Sequence, residues 1–221
     1  MSIYDDFINK EPLATFSIVK LSDQLFPEIE QQFINHHFGR IKKKWHVINQ
    51  AGNSIDLTFN NHYELPLIKK GWNQFKTGNN LPDNVEIVLN CYGPRFFILK
   101  SWKQINNPSD IPSFNSRSVD PTLTSFFDIQ LNADTILSNE LILPVSFANF
   151  LKTNLLYNLT LCTDDGSKEN FEVINIADAS SLGHTWRDFC TSNSFKQGHT
   201  VRFKFLLAEM DGKCQVYKLP N

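Results

Sequence analysis

Lysine and arginine side chains gather in two short stretches of the first half of the chain. One is Arg40-Ile41-Lys42-Lys43-Lys44, and the other is Lys69-Lys70. Such side chains bind phosphate oxygens, and amide or aromatic groups beside them can bond to bases or stack on them. A run of polar and aromatic residues precedes the second stretch: Asn60, Asn61, His62 and Tyr63. The chemistry that these residues offer is contact with phosphates and bases.

Two other interpretations of the first basic stretch stay open. Lys42, Lys43 and Lys44 also fit a nuclear import signal, or a solvated strand edge whose charges block pairing with another strand. The net charge is −2, with +1 on residues 1–110 and −3 on residues 111–221. Nucleic-acid binders usually have a basic footprint, so charge alone does not indicate one here.

Patterns typical of catalysis or metal binding are missing from the sequence. It has no Gly-x-Ser-x-Gly, no phosphate-binding loop, no dinucleotide fingerprint and no His-Glu-x-x-His. Asp164-Asp165 with Glu169 has the residue types of a metal site, but a turn beside a charged strand explains it better. We predict that the protein is not an enzyme, has no cofactor or metal, and takes no small-molecule substrate.

The cysteines and the hydropathy pattern indicate an intracellular protein without a membrane span. Four widely scattered cysteines form no Cys-x-x-Cys pair, so we interpret them as reduced thiols: Cys91, Cys162, Cys190 and Cys214. No run of about 18 apolar residues is present. The N-terminal residues lack the basic and apolar regions of a secretory signal.

The chain contains an internal repeat. Trp72-x-x-Phe75 returns as Trp186-x-x-Phe189, 114 positions later, and each copy is followed by a polar stretch and a β-like run. An aromatic-led strand precedes each copy at a similar distance. A period this long indicates two whole domains rather than a solenoid. We predict that both Trp-Phe pairs are core anchors rather than base-stacking platforms.

The segment between the copies is rich in Pro, Ser and Asn and has no periodicity. It therefore has the composition of a linker. We predict a first domain at residues 1–103, a linker at residues 104–121 and a second domain at residues 122–221.

Period-two alternation dominates within each copy. Residues 45–48 and 55–59 form one expected hairpin around a turn rich in Gly and Asn, and residues 159–162 and 171–176 form its counterpart around Asp165-Gly166. The second copy has two short helical stretches, at Pro144 to Leu151 and Thr185 to Cys190. The predicted fold is mostly β with short α-helices: two tandem, open, mainly antiparallel barrels of seven strands each.

The order of these features in the second copy resembles the plant B3 DNA-binding domain, over residues 124–208. It has an opening strand Phe127-Asp128-Ile129-Gln130-Leu131 and a Leu-Pro strand Glu140-Leu141-Ile142-Leu143-Pro144. Gly166 follows in the hairpin turn, then Trp186-x-x-Phe189, and Gly198 before the last matched strand.

The first copy, residues 14–101, keeps Gly71-Trp72-x-x-Phe75 but has Glu30-Gln31-Gln32-Phe33-Ile34-Asn35 in place of the Leu-Pro strand. Tandem, divergent copies are similar to the reproductive-meristem branch of the family.

The resemblance implies open pseudobarrels that lay two arms in the DNA major groove. By position, the arms are residues 22–26 and 60–64 in the first copy, and residues 132–139 and 177–184 in the second. The arms of the second copy contain no Lys or Arg and carry Asp134 and Asp178. The candidate DNA-contacting residues are Lys20, Ser22, Gln24, Arg40, Lys42, Lys43, Lys44, Asn60, Asn61, His62, Tyr63, Lys69, Lys70, Asn132, Thr135, Ser138, Asn139, Ser180, Ser181 and His184.

Two functions follow as expectations. The first is sequence-specific binding of double-stranded DNA by a nuclear transcriptional regulator, with the better-charged first copy as the DNA reader. The second is a B3-derived protein–protein interaction module that has lost DNA binding, with a protein partner or a homodimer. A basic stripe on one face would favour DNA, and an apolar or acidic concave face would favour the protein module.

Overall fold

A computed structural model describes residues 10–176, 179–207 and 210–220 of the chain. The chain divides into two units, Met1–Val119 and Asp120–Asn221. Each unit has one seven-stranded sheet and a hydrophobic core of its own. Among the described residues, no helix has both the length and the apolar character needed to cross a membrane.

In its described part, residues 10–119, the first unit is a mixed sheet with two short α-helices. Its elements are β1 (Ala14–Lys20), β2 (Glu28–Ile29), α1 (Gln31–His37), β3 (Lys44–Ile48), β4 (Ser54–Phe59), β5 (Ile68–Lys70), α2 (Trp72–Gly78), β6 (Val85–Cys91), β7 (Phe96–Gln104) and a 3-10 turn at Pro108–Asp110. The strand order is β2-β1-β6-β7-β3-β4-β5. The β3–β7 pair is parallel and the other neighbours are antiparallel.

The second unit has three short helices. Its elements are β8 (Thr124–Gln130), α3 (Ala133–Leu137), β9 (Leu141–Ile142), α4 (Val145–Thr153), β10 (Asn158–Thr163), β11 (Lys168–Ile176), β12 (Ala179–Leu182), α5 (Trp186–Ser192), β13 (Thr200–Leu206) and β14 (Lys213–Lys218). The strand order is β8-β13-β14-β10-β11-β12-β9, with β10 and β14 parallel.

The two sheets share one cyclic strand order. If β1 is matched with β8, β2 with β9 and so on, the orders differ only in the position of the shortest strand. Strand β2 pairs with β1, whereas its counterpart β9 pairs with β12. Glu28 of β2 also forms a bridge to Leu67, just before β5, so β2 joins the two ends of the first sheet. The predicted fold class, mostly β with two seven-stranded pseudobarrels, is confirmed.

Aromatic rings pack in both cores, which contain many of the nineteen Phe of the sequence. In the first unit, the Trp45 and Phe97 ring centroids lie 4.4 Å apart. In the second unit, Phe127 stacks on Phe147 at 4.5 Å. Both Trp-Phe pairs are buried at the start of α2 and α5, as predicted for core anchors. The short helices therefore hold the sheets through aromatic packing.

All four cysteines are free and buried, in agreement with the interpretation as reduced thiols. Burial raises the pKa of Cys162 to about 11 and that of Cys190 to about 12. Their thiols are therefore poor nucleophiles at neutral pH, since the thiolate is the reactive form.

The segment predicted as a linker, residues 104–121, packs largely against the first unit. Ile105 is buried in a small cluster with Val19 and Leu21. Residues 115–118 are also buried, although they are polar. A Ser- and Asn-rich composition does not exclude this, because such side chains can be buried when each finds a hydrogen-bond partner.

Gly71 is the residue before α2, and its backbone has φ 89°. A Cβ at this position would lie 2.1 Å from the Asp56 carbonyl oxygen of β4. Glycine is therefore required both by the left-handed backbone and by the close approach of strand and helix.

We predict that Gly71→Ala destabilises the protein more than Gly52→Ala. Gly52 also has a left-handed φ, of 81°, but nothing lies within 4 Å of its added Cβ. The control should cost about 1–2 kcal/mol for backbone strain alone. Gly71→Ala should cost a further ~1–3 kcal/mol for the clash. Urea unfolding measures both, and equal losses would contradict the close approach.

Candidate nucleic-acid interface

Both arms of the first unit lie at the edge where the barrel closes. The first arm, residues 21–27, joins β1 to β2, and the second, residues 60–67, joins β4 to β5. The Ile29 N–H donates to the Pro66 carbonyl and the Ile68 N–H donates to the Pro27 carbonyl, each at 3.0 Å. Backbone hydrogen bonds therefore tie the bases of the two arms together.

Two residues predicted to contact DNA, Gln24 of the first arm and Lys20 at the end of β1, are hydrogen-bonded to the arm itself. Gln24 is 5% exposed, and its amide bonds to the Leu21 N–H and to the Glu28 carboxylate at 3.0 and 2.6 Å. Lys20 donates to the carbonyls of Leu21 and Gln24, and burial lowers its pKa. These side chains shape the arm and are not presented for base reading. Ser22 is exposed, and its backbone N–H donates to the side-chain oxygen of Asn84.

The segment after β7 fixes the first arm from its inner side. Ser116 donates its N–H to Glu28 at 2.7 Å, and the Arg117 Nε lies 2.9 Å from the Asp23 carboxylate. Arg117 is 4% exposed, so this ion pair is largely shielded from water. No local sequence pattern predicts it, because its partners lie 94 positions apart.

In the second arm, Asn60 orders the loop. Its side chain donates to the Leu65 carbonyl at 2.8 Å and accepts from the His62 and Leu67 N–H groups. The Leu65 N–H donates to His62 Nδ1. Asn61 and Tyr63 stay exposed. They are the predicted residues of this arm whose side chains are most accessible to a ligand.

The register of the sheet brings the two basic stretches together. Thr58 of β4 pairs with Lys44 on one side and with Lys70 on the other. Side chains of residues paired in this way share a face, so the two lysines lie about 10 Å apart, two strand spacings. We call the outer surface formed by Lys44, His46, Asp56, Thr58 and Lys70 the basic face.

The acidic residue of the basic face is neutralised locally. Asp56 accepts from Lys44 at 2.7 Å and also contacts the His46 ring. The hydrogen bond from Lys44 lowers the pKa of the Asp56 carboxyl. Lys70 is exposed beside this group, so the face keeps a net positive charge.

A groove of about 580 Å³ runs from the basic face to the first arm. Its wall includes Lys20, Asp56, Lys69 and Lys70, and the Lys69 Nζ lies 3.7 Å from the centre of the Phe26 ring. Asn73 is exposed at the start of α2, on the same wall. Lysines beside amide groups can bind a phosphate backbone and a neighbouring base edge.

The remaining residues of the first basic stretch lie in the turn between α1 and β3. Ile41 is buried and the Trp45 indole donates to the Lys42 carbonyl at 2.7 Å, which anchors the turn. Arg40, Lys42 and Lys43 are exposed. They extend the positive charge outward from Lys44 along the chain.

The first arm of the second unit forms a helix, α3. Asn132 caps it by accepting from the N–H and hydroxyl of Thr135 at 2.8 and 2.7 Å. Trp186 donates its indole N–H to the Thr135 carbonyl and its backbone N–H to the Asn139 carbonyl. The Glu140 N–H donates to the Ser138 hydroxyl. The Trp helix therefore holds this arm, and Asn139 stays exposed.

The serines of the other arm, which were predicted to contact DNA, are buried. Ser180, 1% exposed, donates to Asn175 at 2.6 Å, and Ser181 donates to Glu140 at 2.9 Å. His184 is exposed, with its ring 3.6 Å from Glu140. Ala177 and Asp178, also assigned to this arm, lie outside the described residues.

The candidate metal ligands of the second hairpin belong to its turn. Asp165 accepts from the Thr163 hydroxyl and the Ser167 N–H. In the described part of the chain, no group of three or more His, Cys, Asp or Glu residues is placed to hold a metal ion.

Residues 126–221 match the family model of the B3 DNA binding domain. The match begins within β8 and extends through β14, so it covers the second unit, beyond the 124–208 range of the resemblance. Among solved structures, that of a hypothetical Arabidopsis thaliana protein is similar, at 15% identity and a TM-score of 0.38, over 44% of this chain and 92% of that chain. No curated protein matches the chain.

We predict that Arg117→Ala loosens the first arm. Removing the guanidinium leaves the half-buried Asp23 carboxylate without its cation, which should cost about 2–4 kcal/mol of unfolding free energy. Arg95→Ala is the matched control, because Arg95 is exposed and its loss should cost less than about 0.5 kcal/mol. Urea unfolding measures both variants. Equal, small losses would show that residues 115–118 do not stabilise the arm.

Proposed function

We propose that the protein binds double-stranded DNA sequence-specifically and regulates transcription in the nucleus through tandem B3-like domains. The observation that carries the proposal is the match of residues 126–221 to the B3 DNA binding domain. The shared cyclic strand order supports extending it to the first unit, which has the same barrel topology. DNA binding of this kind involves positioning and electrostatics and no chemical step.

In this proposal the first unit supplies the phosphate contacts. Lys44 and Lys70 lie on one sheet face, and Lys69 lines the adjoining groove. When lysines on a rigid sheet contact the DNA backbone, the sheet itself need not rearrange. The counterions that the DNA releases favour binding. The second unit contributes little to this term, because its arms contain no Lys or Arg.

Base reading then falls to the exposed polar side chains beside the lysines. Asn61 and Tyr63 project from the second arm, and Asn73 from the start of α2. An asparagine amide can pair with adenine in a bidentate way. Phosphate contacts by the lysines would fix the register in which these side chains meet the bases.

A second candidate function is a protein-interaction module. It is favoured by exposed isoleucines and a glutamate on the second unit, Ile142, Ile176 and Glu172. In this alternative, the B3-derived fold has lost DNA binding and serves a protein partner or a homodimer.

We predict that Lys44→Gln and Lys70→Gln each reduce the salt dependence of duplex binding. Each phosphate contact contributes about 0.9 to the slope of log K against log salt, so the slope should fall by ~1 per variant and by ~2 in the double variant. The measurement is fluorescence anisotropy of the full chain with a mixed-sequence duplex, between about 50 and 200 mM salt.

Lys100→Gln is the matched control. Lys100 is exposed in the same unit but lies far from Lys44 along the sheet. It is two residues after Ile98, which pairs with Ile48 at the opposite end of β3. Its slope and affinity should equal those of the unchanged protein. A double variant with an unaltered slope would show that DNA is not held on the basic face.

A further inference from the structure

Isoleucines lie on the outer surface of β9 and β11, the strands that adjoin the arms of the second unit. The register aligns Ile174 of β11, Ser181 of β12 and Ile142 of β9 across three strands. Ile176 pairs with Ala179 on the same side. We call the surface formed by Ile142, Ile174, Ile176 and Ala179 the apolar face; Ser181 between them is buried and bonded to Glu140.

Side-chain alternation shows that the apolar face points away from the core. Phe171 and Val173 of β11 are buried in the barrel, so Ile174 and Ile176 must face outward. Ile142 is 65% exposed and Ile176 is 69% exposed. Isoleucine is among the residues most often buried, and clustered exposed isoleucines typically mark an interaction site.

The charged groups around the apolar face are mainly acidic, and the His184 ring lies 3.6 Å from one of them, Glu140. Glu172 lies two residues before Ile174 and Glu140 two residues before Ile142, so both share the outward side of their strands. The arm that precedes β9 adds Asp134, which is exposed. Strand β11 also carries a lysine, Lys168, but it lies at the end of the strand far from Ile174.

This combination of charge and hydrophobicity favours a ligand other than phosphate at the apolar face. Glutamates beside an uncharged surface repel a DNA backbone. They attract lysine and arginine, and electrostatic complementarity of this kind sets the choice of partner. A second copy docking on this face would bring two sets of the same glutamates into one interface without added lysine or arginine, which is unfavourable.

We propose that the apolar face binds a segment of a partner protein that presents apolar side chains flanked by Lys or Arg. The inference rests on the second of the two candidate functions and does not require that the first unit bind DNA. The isoleucines would supply buried apolar area, and Glu140 and Glu172 would orient the basic flanks.

The test is selection of a random linear peptide library by the immobilised full chain. The proposal expects enriched peptides that combine apolar residues with Lys or Arg. The double variant Ile142→Asp/Ile176→Asp should weaken their binding at least tenfold, and Glu172→Lys should weaken it several-fold. Leu13→Asp is the control, because Leu13 of the first unit is equally exposed, at 68%. Thermal melts confirm that each variant is folded.

Three results would overturn the proposal. The first is peptides that bind the Ile142→Asp/Ile176→Asp variant as tightly as the unchanged chain, or no enrichment. The second is a dimer in analytical ultracentrifugation that this variant abolishes, since the occupant would then be a second copy. The third is loss of duplex binding in this variant. Duplex binding measured in parallel separates the two functions, because only the lysine variants of the basic face should change it.

Discussion

The buried carboxylate of Glu28 lies where the first barrel closes. It is 5% exposed, in the shortest strand, which pairs with β1 and bridges to the residue before β5. A buried charge is stable only when it is well hydrogen-bonded. Gln24 of the first arm and Ser116 of the segment after β7 provide these bonds. Barrel closure, the arm and that segment therefore depend on one group.

In the second unit, a tryptophan holds the first arm in place. Trp186 is fully buried, and its indole and backbone N–H groups donate to carbonyls of the first arm and the residues after it. In the first unit, the matching Trp72 begins α2 just after Gly71, where the helix lies against β4. Aromatic anchoring is common to both units, and the fixing of the arms differs. This difference explains why the two arms can diverge in shape while the barrels stay alike.

Much of the fold could be predicted from the sequence, because alternation and turn signals are local. The hairpins of β3 with β4 and of β10 with β11 follow directly from period-two patterns and their Gly-containing turns. The closeness of Lys44 and Lys70 could not be predicted, since it depends on the register of three strands. The burial of Gln24, Ser180 and Ser181 could not either, because a polar side chain gives no sequence sign of whether its partner is water or protein.

The outer strands of the two units carry side chains of different chemistry on barrels of the same topology. The first has lysines, a histidine and a threonine on its outer sheet, and the second has isoleucines and glutamates. A barrel of one topology can accept this change because outward-facing side chains do not contribute to its core. The two units therefore differ in their outward-facing side chains while sharing one barrel topology.

Nuclear magnetic resonance mapping of the 25.5 kDa chain with a duplex selected from a random pool tests the central claim most directly. Our account predicts that the largest shifts on DNA binding occur at Lys44, Thr58, Asn61 and Lys70, while Ile142, Ile174 and Ile176 stay unperturbed. Shifts centred on the isoleucine surface, or no selected duplex at all, would contradict it.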